Sequence, residues 1–339
     1  MYFENNACLR CGTPLGYDPS ARELVVVDDG RARCGNAATL GCNWLVDGVA
    51  GTGYAPGGGG ERCRSCRLTR TVPGDNASVV ALADVETAKR RLLFQLDEVE
   101  LPVSDRVEPD GPGLAFDLLS SRLGPVTTGH EDGVITIDLA ESDSAHRESL
   151  RHELGEAYRT VLGHLRHEIG HYYWDLFVDD DATLARLREC FGDERANYSE
   201  ALARHYEDGP SPGWANAYVS AYATMHPWED WAETFAHYLH ILDTLQTAAA
   251  FGMLVTGPAV VTGPVGDPTL VAVPTLDLTR ETFDAILAEW LPLTYALNAV
   301  NRSMGNNDLY PFVLPPRAVE KLALVHELVG ARGATSSTG

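Results

Sequence analysis

No run of eighteen apolar residues occurs among these 339, so no segment reads as a membrane-spanning helix. The N-terminus lacks the basic start and hydrophobic core of an export signal. Neither an internal repeat, a phosphate-binding Gly loop nor a Ser-His-Asp arrangement is present. Positive charge is scarce, with 26 Lys and Arg against 48 Asp and Glu and a net charge of −22. Eight basic and eight acidic residues fall in 1–75, so the remaining 18 basic and 40 acidic groups give everything beyond a strongly negative balance. Such a surface repels nucleic acid and anionic membranes, and favours basic substrates or partners where it lines a groove. Otherwise it serves solubility alone.

Cysteine is scarce after residue 78, where only Cys190 remains, a thiol expected to be buried and inert. The other six are concentrated before it: Cys8 and Cys11, then Cys34 and Cys42, then Cys63 and Cys66. C-x-x-C pairs on a short, turn-rich segment without an export signal read as a structural zinc site rather than a disulfide framework. Six thiolates cannot fill two four-cysteine sites, so one zinc is expected, held by four of these six, and the spacing leaves open which four. This cysteine usage points to the cytoplasm. Glu23–Val27 and Cys42–Val46 read as short strands, and 57–60 as a flexible Gly loop.

The richest pattern is His167-Glu168-Ile169-Gly170-His171. On a helix, two imidazoles four residues apart share a face and can hold one Zn²⁺, while the Glu between them stands where a general base is needed. The context is helical: no proline occurs from 151 to 177, and Leu154, Ala157, Tyr158, Val161, Leu165, Ile169 and Tyr172 recur every three or four residues as a buried stripe. Buried core histidines are the bland alternative, but two His and a Glu on one face favour a metal. His164 lies one position outside the ligand spacing and reads as supporting or structural.

A hydrolytic zinc site needs a third protein ligand and an open position. His226-Pro227-Trp228-Glu229-Asp230-Trp231-Ala232-Glu233 begins with the signals of a helix start, and its apolar pattern runs on to about Phe251. Glu229 and Glu233 lie four apart and face the same way, an arrangement that costs repulsion unless a cation or an imidazole N–H takes up the charge. Glu229 is assigned as third ligand and Glu233 as the carboxylate that orients a ligating imidazole, the exchanged assignment being the alternative. A solvated acidic helix start would also explain the pair.

The stretch Gly163-His164-Leu165-Arg166-His167-Glu168-Ile169-Gly170-His171-Tyr172-Tyr173-Trp174-Asp175, followed by 226–233, resembles a bacterial family of zinc-binding metallopeptidases that carry a zinc ribbon in front. Phe3-Glu4-Asn5 and Cys42-Asn43-Trp44 are similar to that ribbon, although the family's C-x-x-C upstream of Phe-Glu-Asn is missing from this sequence. More distantly, Glu229 to Phe235 resembles the third-ligand helix of anthrax lethal factor and the Pro-Pro endopeptidases. There a tyrosine seven residues before the ligand glutamate points at the substrate carbonyl, which implies Tyr222 here, with Tyr218 close by.

These readings give an α+β chain: a small β-rich zinc ribbon over 1–75, a mainly helical zincin-like metallopeptidase domain with a small sheet over 76–332, and a disordered tail over 333–339. Strands are expected at 113–119 and 133–139, the second as the sheet's edge, where an extended peptide could add as a further strand. Helices are expected at 79–98, 182–191, 194–206, 228–250, 279–304 and 316–330, with a long Gly/Pro/Val insertion at 252–278 acting as a lid or a connector. The function this implies is hydrolysis of a peptide or protein substrate with two zinc ions, one catalytic and one structural: zinc polarises the carbonyl, Glu168 activates water and returns a proton to the leaving amine, and Tyr222 steadies the oxyanion. No nucleic-acid or membrane partner is expected, and the ribbon offers a surface for a protein partner. The alternative is a binding or scaffold protein, or another zinc enzyme using the same site. A structural zinc needs no base, so the intact Glu168 favours catalysis.

Overall fold

The computed structural model describes residues 3–28, 30–47, 60–108, 111–144, 160–258, 268–272 and 281–336. Packing groups them into two compact units, the first taking the described residues up to 144 together with 160–172, the second those from Tyr173 onward. Within the first unit, the strand that closes the ribbon segment is built into the sheet that follows.

In the first unit, β1 (Leu15–Asp18) and β2 (Glu23–Val26) form an antiparallel ribbon, followed by the short helices α1 (Ala37–Leu40) and α2 (Arg64–Arg67). The strand expected at Cys42–Val46 does not form. Trp44 and Leu45 make isolated bridges, to Tyr17 and Arg33, because the backbone bonds of this stretch divide between two neighbours with one bridge to each; Trp44 is wholly buried. β3 (Thr69–Thr71) then leads into α3 (Val79–Glu98), whose start is prepared by Asp75 accepting the Ser78 amide at 2.8 Å. Leu82, Val85, Leu92, Leu93 and Leu96 form its buried stripe. Phe94 on the same helix meets Phe3 and Tyr17 at ring separations of 4.7 and 5.6 Å, so the ribbon is packed against α3 by aromatics.

β4 (Ala115–Leu119), β5 (Gly129–Glu131) and β6 (Val134–Asp138) complete a four-stranded sheet in the order β3-β4-β6-β5, with β5 the one antiparallel member. Both strands expected here form, but β6 is internal rather than the edge. Asp132 and Gly133 both adopt positive φ (48° and 80°), the signature of a two-residue hairpin turn, and they fold 129–131 back as the edge. Gly133 is required, since a Cβ there would sit 2.3 Å from the Gly113 carbonyl oxygen.

α4 (Val161–Phe177) runs through both units, its residues to Tyr172 counting with the first and those from Tyr173 with the second. The expected continuation of its stripe to Leu154, Ala157 and Tyr158 lies outside the described residues. The second unit adds α5 (Asp181–Phe191), α6 (Tyr198–Asp208), α7 (Pro227–Ala250), the antiparallel pair β7 (Leu254–Pro258) and β8 (Pro268–Ala272), α8 (Phe283–Ser303) and α9 (Pro316–Ser336). The insertion at 252–278 is thus a β-pair where described. α9 continues through 333–336, so helix occupies the start of the tail expected to be disordered, and 337–339 lie outside the described residues.

α7 is the spine of this unit. Trp231 and Phe235 receive Tyr173, Trp174 and Phe177 of α4 at ring separations of 5.5 to 5.9 Å, and Phe191 of α5 also meets Trp231. Asp230 and Lys321, both buried, form a 2.6 Å ion pair between α7 and α9, with the Lys321 ammonium 4.0 Å above the Tyr218 ring. Among the described residues no helix is long and apolar enough to cross a membrane.

Candidate metal centres

Four thiols converge in the first unit. Cys34, Cys42, Cys63 and Cys66 are buried, with their sulfurs all within 4.8 Å of one another. Cys42 Sγ lies 3.6 Å from Cys63 Sγ and 3.8 Å from Cys66 Sγ. A tetrahedral Zn–S bond of about 2.3 Å places sulfurs about 3.8 Å apart, so the spacing fits a zinc-sized ion. This resolves the choice among six cysteines. The cluster uses one C-x-x-C pair, Cys63 and Cys66, together with Cys34 and Cys42, whereas Cys11 is exposed and bonded to Thr13 Oγ1 at 3.0 Å, and Cys8 is half-buried outside the group. Cys63→Ser should therefore cost the protein one equivalent of zinc and destabilise its first unit, while Cys11→Ser should leave metal content and thermal stability at the parent's values; metal analysis and melting of the two variants check it.

A second group forms on α4 and α7. His167, His171 and Glu229 bring one ligand atom each to within 4.8 Å, and all three are buried. The helical repeat puts the two imidazoles on one face, with ring centroids 5.0 Å apart. Glu229 is presented by the first turn of α7, where His226 caps the helix by accepting the Trp228 amide at 3.1 Å and Pro227 pre-sets the first turn. Burial of Glu229 and Asp230, at 2 and 1 % exposure, removes the solvated acidic helix start as an explanation of this stretch. Two imidazoles and one carboxylate form the donor set of an open zinc site, with a position left for a fourth ligand.

Glu168 lies beside this group without joining it. Its Oε1 is 3.0 Å from His164 Nε2, while Oε2 is buried and takes no hydrogen bond among the described residues. Burial pushes the Glu168 carboxyl up, but the His164 hydrogen bond and the neighbouring His167 and His164 outweigh it and hold it at about 2. His164 Nδ1 is 2.7 Å from Glu141 Oε2; burial opposes charge on this ring, and Glu141 followed by Glu168 overcomes it, lifting the imidazole to about 10.

Glu233 accepts a hydrogen bond from Ser220 Oγ at 2.5 Å and is not one of the three clustered donors. Tyr222 stands in the one-turn 3₁₀ segment before α7; burial, then Glu229 and Tyr198, push its hydroxyl far up and keep it protonated. Tyr218 is occupied by Lys321. Three residues that sequence reasoning missed also stand here. Tyr198, the first residue of α6, donates its hydroxyl to Glu229 Oε1 at 3.0 Å. His130 on β5 stacks on His171 at 6.4 Å and, chiefly through burial, is held at about 4, while its Nε2 accepts the Gly133 amide at 3.0 Å. Glu141 follows β6. None carries a local pattern; only the Asp-Gly turn beside His130 was readable as a hairpin signal.

The comparisons with known proteins agree with this chemistry. Residues 78–328 match the model of a family described as "Putative zinc-binding metallo-peptidase", and residues 1–77 match a zinc-ribbon domain. The chain belongs to this metallopeptidase family. An uncharacterized protein of Mycobacterium tuberculosis and one of Mycobacterium bovis are each 48% identical to it over 336 residues, covering 97% of this chain and 92% of theirs. No solved structure matches at a significant level. Its membership accounts for two zinc-type donor sets in one chain, one from the ribbon and one from the metallopeptidase region.

Proposed function

We propose that this family member is a zinc-dependent peptidase with one catalytic and one structural zinc. The observation that carries the reading is the convergence of His167, His171 and Glu229 beside a buried carboxylate, Glu168, that keeps one oxygen without a hydrogen bond. A structural site has no use for such an oxygen. His167, His171 and Glu229 would hold the catalytic ion, and the four thiolates of Cys34, Cys42, Cys63 and Cys66 the structural one. A zinc ion in the first site supplies Lewis acidity, polarising a carbonyl and acidifying water.

The chain's own residues do the rest. Glu168 Oε2 takes a proton from the attacking water as its oxygen bonds to the peptide carbonyl carbon, and the same carboxyl returns that proton to the amide nitrogen as the C–N bond breaks. Tyr222, kept protonated by burial and by Glu229, donates a hydrogen bond to the carbonyl oxygen as negative charge develops there. Tyr198 holds the Glu229 carboxylate through Oε1, fixing its orientation. β5 ends the sheet, and an extended peptide pairing along it would run past His130, whose ring stacks on His171. Where the acidic surface lines a groove it favours basic substrates, the ribbon offers a surface to a protein partner, and thiolate-type cysteine usage suits the cytoplasm.

The test is a peptide-library cleavage assay on the full chain, as purified, after mild chelation, and after zinc is restored. Activity should vanish with the more accessible zinc and return with it, and Tyr222→Phe should lower kcat by about 100-fold with KM little changed. Cleavage that survives removal of both metals would overturn the reading.

A further inference from the structure

His164 is unused by the reaction above, yet its side chain is mostly buried between two carboxylates. Its exposure is 14%, against 4% for Glu141 and 6% for Glu168. A neutral imidazole has one N–H and ionised carboxylates only accept, so bridging both at 2.7 and 3.0 Å calls for a ring that donates from both nitrogens. Glu141 lies in the 3₁₀ turn Leu139–Ser142 directly after β6, a firm platform, and His164 is one helical turn before Glu168 on α4. The bond occupies Oε1 and leaves Oε2 open.

We propose that His164, anchored by Glu141, is a positioning residue that tethers Glu168 Oε1 and thereby presents Oε2 to the attacking water. The proposal rests on the peptidase reading for its kinetic consequence, whereas the tether itself does not depend on it. A free Glu at this position would be spread over several rotamers, and the tether selects one. Glu141 also fixes the ring from its other side: its Oε2 takes the Nδ1–H at 2.7 Å, so His164 is held at both nitrogens.

The experiment uses the full zinc-loaded protein. His164→Leu removes both N–H groups at similar volume; kcat should fall by about 100-fold, with KM and zinc content within about threefold of the parent. His164→Gln keeps an N–H within reach of Oε1 and should recover at least about tenfold of that loss, a rescue that a space-filling role would not give. In parallel, ring-nitrogen NMR of ¹⁵N-histidine-labelled protein near neutral pH should show one doubly protonated imidazole. That signal should be absent from His164→Leu and shifted in Glu141→Ala and Glu168→Gln. A kcat within about threefold of the parent in zinc-loaded His164→Leu would overturn the proposal. So would a His164 ring that is singly protonated or indifferent to Glu168→Gln. If the parent cleaves no peptide, the peptidase reading fails, and the NMR arm still decides whether the tether exists.

Discussion

Glu168→Gln should bind zinc as the parent does and hydrolyse a cleavable peptide at least about 1,000-fold more slowly, the largest kinetic effect expected of any substitution that leaves both metals in place. The amide has nearly the volume of the carboxyl and can still accept the His164 N–H through its oxygen, so the helix and the site should keep their shape. What it cannot do is accept a proton at the second position. In the parent that position is Oε2, buried and without a hydrogen bond. Steady-state kinetics with metal analysis on the same sample provides the check. Substantial remaining activity at full zinc occupancy would show that Glu168 is not the base.

The second large effect concerns metal retention. His167→Ala, His171→Ala and Glu229→Ala should each reduce the chain from about two bound zinc ions to about one, because each deletes one of three protein donors from an open site. Glu233→Ala should weaken zinc binding by no more than about 10- to 100-fold, the usual cost of losing a group that acts through a neighbour. The distinction follows from which carboxylate clusters with the imidazoles: Glu229 does, while Glu233 takes its hydrogen bond from Ser220. Zinc titration of the four variants separates them. Loss of metal in Glu233→Ala with retention in Glu229→Ala would exchange the two assignments and remove the seven-residue spacing that singled out Tyr222.

The elements that the sequence made legible are those whose cause is local. α3, α5, α7 and α9 begin within a residue or two of their expected starts, because capping side chains such as Asp180 and an N1 proline such as Pro227 act within one turn. The pairing of His167 with His171 is equally local, being a matter of helical repeat. β6 was found as a strand yet misplaced in the sheet, since alternation reports burial on a face and says nothing about which neighbour pairs with which edge. The region at Cys42–Val46 misled for a related reason: its apolar residues are buried, but its backbone bonds divide between Tyr17 on one side and Ala32 and Cys34 on the other, one bridge to each.

By itself, then, the sequence determined the α+β class, the helix that carries two imidazoles and a carboxylate on one face, and a cysteine-rich segment able to bind metal. Tertiary structure decided everything that needs the chain to return on itself. It chose Cys34 and Cys42 over Cys8 and Cys11, because a four-thiol cluster depends on which turns bring sulfurs within a few ångströms and C-x-x-C spacing describes only one half of it. It packed Tyr173, Trp174 and Phe177, on the last turns of the histidine-bearing helix, against Trp231 and Phe235 of the helix whose first turn carries Glu229. It also set Tyr198 on Glu229 and Glu141 on His164, across separations of 31 and 23 residues. A side chain's periodicity reveals which face it occupies, and only the folded chain reveals what that face meets.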